Sequence, residues 1–223
     1  MLLCVAHGTR DPAGVDSVSE IVDAVRTAAA PVEVRAAFVE LVEPDVRAAL
    51  SGIPTDRRAV LVPLLLSSGF HDRVDLPAAI AAARPGTAHA PVLGPDPLLA
   101  VALADRLREA GWQPGDAVVL AAAGSSDPAA VETVRTQAAL LAAELATEVG
   151  VGFGSAAEPP VAAAVTAARA TGADRVAIAP YLLATGHFAA RLTEAGADVV
   201  AAPLGAHPAV VDLVLVRAWS TRG

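Results

Sequence analysis

Side-chain chemistry in this 223-residue chain rests mainly on five histidines, 24 carboxylates and 16 arginines, since it contains no lysine and one cysteine, Cys4. Without lysine there is no P-loop lysine, pyridoxal Schiff base or lysine general base. A single cysteine excludes an internal disulfide and a multi-cysteine metal site. Two histidines stand where an open α/β sheet would use them. His7 follows the apolar run Leu2–Ala6 and precedes Gly8, while His71 closes the run from Val60 to Leu66 and the loop Ser67-Ser68-Gly69-Phe70. Neutral imidazoles with open positions suit a divalent transition metal that is held briefly and released, whereas a structural site wants about four ligands. Their separation of 64 residues carries no metal-spacing signal, so the pairing depends on the fold. If the first sheet runs in the order 2-1-3-4, both histidines face the crevice outside the carboxyl ends of neighbouring strands.

Other polar residues have bland readings beside functional ones. Asp11 suits a helix cap, and Arg10 either meets a ligand or faces water. Glu43 precedes Pro44 at a helix start, where a carboxylate favours the helix N-terminus, and it repeats as Glu158. Glu40 has Ser155 opposite it in the repeat described below and is expected to be solvated. Arg73 and Asp75 line the pocket mouth or face water. His89 and His207 are expected to be structural, and His187 a non-ligand.

Short apolar runs must position these groups. Strands are predicted near 2–6, 32–38, 58–66, 88–92, 117–122, 149–153, 174–183 and 197–201. Between them lie Ala-rich segments of helical periodicity, near 13–29, 44–50, 75–83, 97–110, 129–147, 159–171, 187–195 and 208–218. Strand–helix alternation implies parallel sheets covered on both faces, and Ala, Val and Leu must build the core because only 3 % of residues are aromatic.

The chain is also written twice. Gly8, Asp11 and Pro12 recur as Gly124, Asp127 and Pro128 at a shift of 116, but His7 falls on Ala123. Phe38 and Glu43-Pro44 recur as Phe153 and Glu158-Pro159; Pro63 and Gly69 as Pro180 and Gly186; Leu93-Gly94 as Leu204-Gly205. The drift in these shifts places extra residues just after His71 in the first copy. The expected domains are 1–112, carrying the active site, and 113–223, a degenerate repeat, with Gly111–Gly115 as linker. Eight strand–helix units fit either two four-stranded open sheets or a TIM barrel.

Taken together, Ala6-His7-Gly8-Thr9-Arg10, Phe38-Val39-Glu40-Leu41-Val42-Glu43-Pro44, the run from Pro63 to His71 and Asp75-Leu76-Pro77 resemble the sirohydrochlorin chelatases. Those class II chelatases insert cobalt or iron into a tetrapyrrole. Leu204-Gly205, Val211-Asp212 and Arg217-Ala218 are similar to the end of that family's repeat. The resemblance implies an α/β fold of two flavodoxin-like, chelatase-like halves, each a four-stranded parallel sheet with helices on both faces, and argues against the barrel. It implies His7 as catalytic and metal-binding, His71 as the second metal ligand, and tetrapyrrole contacts at Glu43, Leu66, Ser67, Ser68, Gly69, Phe70 and His71. Glu43 is expected to assist deprotonation or orient a histidine, and Arg10 and Arg73 to meet substrate carboxylates. The second half lacks the histidine at Ala123, so one working site is expected.

The expected activity is insertion of a divalent metal, Co²⁺ or Fe²⁺ with Ni²⁺ also suited to these donors, into a sirohydrochlorin-type tetrapyrrole for siroheme or cobalamin. No permanently bound cofactor is expected, and the metal is a substrate. The alternatives are a non-catalytic tetrapyrrole or metal carrier and a histidine phosphotransferase; the latter normally has arginine before its histidine, where Ala6 stands. A net charge of −8 gives no support for nucleic-acid binding. No uninterrupted apolar stretch is long enough to span a membrane, and the N-terminus lacks the basic region of a signal peptide. A cytoplasmic monomer or homodimer is therefore expected.

Overall fold

The eight apolar runs become eight strands divided between two open, all-parallel sheets. In the computed structural model, which describes residues 1–221, the first sheet contains β1 (Leu2–Ala6), β2 (Val34–Phe38), β3 (Val60–Pro63) and β4 (Ala88–His89) in the order β2-β1-β3-β4. The second contains β5 (Ala117–Ala122), β6 (Val149–Phe153), β7 (Val176–Tyr181) and β8 (Val199–Val200) in the order β6-β5-β7-β8. Two open sheets of the same winding exclude the barrel. Strands expected near 58–66, 88–92 and 197–201 are shorter because chain beyond Pro63, His89 and Val200 peels into loops.

Among the described residues eight α-helices cover the sheets: α1 (Pro12–Ala28), α2 (Val46–Ser51), α3 (Leu76–Ala83), α4 (Pro97–Glu109), α5 (Pro128–Leu145), α6 (Val161–Ala170), α7 (His187–Arg191) and α8 (Pro208–Ser220). Four begin by one local rule. Proline fits the first helical position, where its missing N–H costs nothing, and the residue before it supplies a side-chain acceptor. Asp11, Asp96 and Asp127 accept from the amides of Ala13, Leu98 and Ala129, and His207 Nδ1 does so for Ala209. Asp11 is therefore the cap its type suggested. β1 is buried along its whole length, and Leu3, Val5, Leu50, Leu61 and Leu76 form one core; Val119, Val165, Ile178 and Leu192 belong to another. Cys4 lies in β1 with its thiol pushed up to about 12 by burial, which keeps it inert.

The compact units do not coincide with the sequence halves 1–112 and 113–223. One unit joins residues 1–93 with the chain from Ala206 onward; the other is Gly94–Gly205. Thus α4, which belongs to the first copy by sequence, packs on α5 and β7, and α8 packs on α1 and β3. Burial of Leu99, Leu103 and Leu107 holds α4 in the second unit. An arginine clamps each exchanged helix: Arg106 donates to Leu204 O at 3.1 Å, and Arg217 to Leu93 O at 2.9 Å. Gly111–Gly115 is not a linker either. It forms a turn inside the second unit, where Trp112 is buried and its indole N–H donates to Asp116 O at 3.3 Å.

Candidate metal centre

Parallel pairing places β2 and β3 on either side of β1, so the loops after all three strands meet at one sheet edge. The β1–β2 pairing continues past the strand ends, with Val39 N–H donating to Ala6 O at 2.9 Å and Glu40 N–H to His7 O at 3.1 Å. Glu40 is thereby carried alongside His7. Close approach requires glycine at position 8: its φ is +102°, and a Cβ there would lie 1.9 Å from Glu40 O. On the other side, Leu64 N–H donates to Val5 O at 2.7 Å, and the chain runs on to His71.

Three ligand-bearing side chains converge there. His7, Glu40 and His71 each offer a donor atom within 4.8 Å of the others, the one such group of three among the described residues. His7 Nδ1 lies 3.5 Å from Glu40 Oε1. The rings of His7 and His71 meet edge to face with centroids 4.6 Å apart. Donors on a tetrahedral ion with bonds of about 2.1 Å stand roughly 3.4 Å apart. The His7–Glu40 edge already has that length, and small side-chain rotations close the rest. The side chains of His7 and Glu40 are about half exposed, at 51 % and 50 %. Three protein donors with an open face match sites that must pass a ligand or the metal onward, rather than closed structural sites.

The structure brings His7 and His71 together as the sequence suggested. Glu43 lies outside the group: its carboxylate accepts from Asp45 N–H at 2.9 Å, at the start of α2. The carboxylate beside the histidines is that of Glu40, which sequence reasoning set aside as solvated. The signal was available, because Glu43 recurs as Glu158 whereas Glu40, like His7, has no counterpart in the second copy. Arg10 and Phe70 are exposed, while Leu66, Ser67, Ser68 and Gly69 are half-buried. Phe70 and Leu41 are unusually exposed for large apolar side chains, at 66 % and 52 %, and Leu41 has a left-handed φ of 68°. Ala156 repeats that backbone conformation at φ 55°, so the turn belongs to the scaffold and the exposed leucine to the first copy alone.

His71 begins a π-helical turn, His71–Asp75, that runs directly into α3. This turn accounts for part of the extra length after His71; α7 in the second copy gives way to a 3₁₀ turn, Leu192–Glu194. Such widened turns frequently occur at functional sites. Asp72, on the same turn, bonds to Ser68 Oγ at 2.5 Å. Its other oxygen lies 3.2 Å from His89 Nε2, which is buried and off the line of a good hydrogen bond. In the second copy the scaffold survives without the donors. A Cβ at Gly124 would lie 1.8 Å from Ser155 O, and Ser155 Oγ donates to Ala123 O at 3.1 Å. His187 is exposed at the start of α7.

A duplicated open α/β chain with a histidine–carboxylate–histidine group at one sheet edge defines a metal-handling protein of chelatase-like fold. The family model described as CbiX matches residues 1–110 and again 117–221, and the chain belongs to that family. It is 29 % identical over 123 residues to a sirohydrochlorin cobaltochelatase of Methanosarcina acetivorans, covering 95 % of that protein and 49 % of this chain. Among solved structures it is similar to SirB from Bacillus subtilis with Fe³⁺ (TM-score 0.84, 24 % identity, 99 % of this chain and 94 % of that one). It also resembles CbiX, described as the terminal enzyme for siroheme biosynthesis in denitrifying bacteria (TM-score 0.74, 24 % identity, 100 % and 99 %). No helix among the described residues is long and apolar enough to cross a membrane.

Proposed function

We propose that the protein is a sirohydrochlorin chelatase, inserting a divalent metal, Co²⁺ or Fe²⁺, into a sirohydrochlorin-type macrocycle with His7, Glu40 and His71 as the presenting site. The observation that carries this reading is the convergence of those three donors on one open sheet edge, in a chain of the CbiX family. The metal is a substrate, held by three side chains on one face and free on the other. Insertion releases two pyrrole N–H protons for each divalent ion that enters, so the site needs a proton acceptor as well as a metal holder. His7 suits the first task once the ion has left its ring nitrogen, because a neutral imidazole accepts one proton at cellular pH, and the second passes to solvent at the exposed face; such help is typically worth ~10²–10⁴-fold. Glu40 contributes negative charge that binds the incoming cation. Glu43 acts indirectly, by fixing the start of α2 behind the Glu40 loop. Exposed Leu41 and Phe70 offer apolar surface to the macrocycle, and Arg10 and Arg73 suit its carboxylates. A phosphotransferase is disfavoured by the Glu40 carboxylate 3.5 Å from His7, which would repel a phosphoryl group.

The test is an absorbance assay following metallation of sirohydrochlorin with Co²⁺, Fe²⁺ and Ni²⁺ in turn. Wild-type protein should accelerate insertion of at least one metal over the uncatalysed rate, and H7A should fall by at least ~10²-fold. Wild-type protein that binds sirohydrochlorin without accelerating metallation would make it a carrier instead.

A further inference from the structure

One ring nitrogen of His71 already has a partner outside the three-residue group. His71 Nδ1 lies 2.6 Å from Asp75 Oδ2. An ionised carboxylate can only accept, so the hydrogen in this bond sits on His71 Nδ1 and the lone pair on Nε2. Imidazole chemistry is otherwise indifferent or opposed to that choice, since a free histidine side chain prefers its proton on Nε2. Three observations single out this contact. It lies within the π-helical turn that begins at the ligand itself, so ligand and carboxylate are placed by the same five residues. Asp72, between them in sequence, anchors the turn through Ser68 and faces His89. The carboxylate is also confined to the working copy. Aligned by histidines, Asp75 falls on Arg191; aligned by Gly69 and Gly186, it falls on Leu192.

We propose that Asp75 is a positioning residue: it holds His71 as the Nδ1–H tautomer and so presents Nε2 to the metal. Carboxylate–histidine–metal chains are a general device for fixing a ligand's orientation and raising its basicity, and losing the outer member typically costs 10–100-fold in metal affinity or activity. The inference rests on reading His7, Glu40 and His71 as the metal-presenting site, but its test does not use the tetrapyrrole.

The experiment is a long-range ¹H–¹⁵N correlation spectrum of the full-length, metal-free, ¹⁵N-histidine-labelled protein at about pH 8.5, where an ordinary imidazole is neutral. H71Q assigns the signal, and a Co²⁺ titration monitored by visible absorption runs in parallel. Wild type should show His71 protonated on Nδ1. D75A should shift the proton to Nε2 and weaken Co²⁺ binding about 10–100-fold. D75N, whose carbonyl still accepts a hydrogen bond, should keep the tautomer and recover part of the affinity. A wild-type His71 carrying its proton on Nε2, or a D75A protein with unchanged tautomer and Co²⁺ affinity, overturns the proposal. Failure of metallation with the tautomer as expected would count against the chelatase reading and leave this one standing.

Discussion

Substituting Gly8 by alanine should cost stability and activity together, whereas its twin, Gly124→Ala, should cost stability alone. Both glycines have positive φ, +102° and +98°, and both would set a Cβ against a crossing carbonyl, at 1.9 Å and 1.8 Å. Real Cβ contacts essentially never fall below 3.0 Å, so in each case the crossing loop must retreat by at least about 1.1 Å. Adverse φ and the forced shift together should cost about 2–3 kcal/mol, or a fall of roughly 5–10 °C in thermal midpoint. The two variants should be alike in this. In the first copy, however, the retreating residue is Glu40, whose carboxylate forms the 3.5 Å edge with His7. A misplacement of about 1 Å at a reacting centre costs about 10²-fold, so G8A should lose that much metallation rate while G124A stays within about twofold of wild type. Circular dichroism melts and the absorbance assay on the same samples decide it. Equal activity in the two variants at equal stability would refute the claim that the His7–Glu40 crossing is the working part of the scaffold.

Further outcomes follow from the same geometry. E40Q should lose Co²⁺ affinity by about 10-fold or more in a visible titration, because charge-assisted ligation is lost, whereas E43Q should bind Co²⁺ within about twofold of wild type. H187A should leave metallation unchanged, since His187 lies outside the ligand group; a loss comparable to that of H7A would mean a second contributing site. Asp198 is held below the ordinary carboxylate range by the Val176 amide at 2.8 Å and by Arg169 at 2.7 Å. Its contribution to stability is present above the unfolded carboxylate pKa and disappears as pH falls through the lower folded value. D198N should therefore melt earlier than wild type near neutrality, and the gap should close as pH falls below the ordinary carboxylate range in a series of thermal melts. Leu120, fully buried in β5, should cost about 2–5 kcal/mol on truncation to alanine, read by denaturant unfolding.

Period and punctuation carried most of the fold. Leu2–Ala6 and Ala117–Ala122 read as buried parallel strands because both faces are covered, and Asp11 read as the cap of α1 by its own chemistry. The repeat located two equivalent sheets, yet it could not say which sheet α4 and α8 would cover. A repeat records chain order, while packing after Leu93 and Leu204 is decided by contacts distant in sequence, such as Arg106 with Leu204 O and Arg217 with Leu93 O. At the site, the histidines were legible from their places at strand ends. The carboxylate was harder to read, because Glu40 and Glu43 share one loop; the hydrogen bond from Glu40 N–H to His7 O carries Glu40, not Glu43, alongside the histidine. The asymmetry that singled out His7 over Ala123 also separates Glu40 from Ser155, and applied evenly it points to the carboxylate that lies beside His7. Asp75 was visible only as part of an extra segment, since a π turn leaves no simple period in sequence.

Anomalous scattering from a crystal of the intact chain soaked with Co²⁺ tests the central claim most directly. The account predicts one strong cobalt peak within bonding distance of His7, Glu40 and His71 Nε2, and no comparable peak beside Ala123, Ser155 and His187. A cobalt held in the second copy, or one bound at Glu43 with the three-residue group left empty, would contradict it.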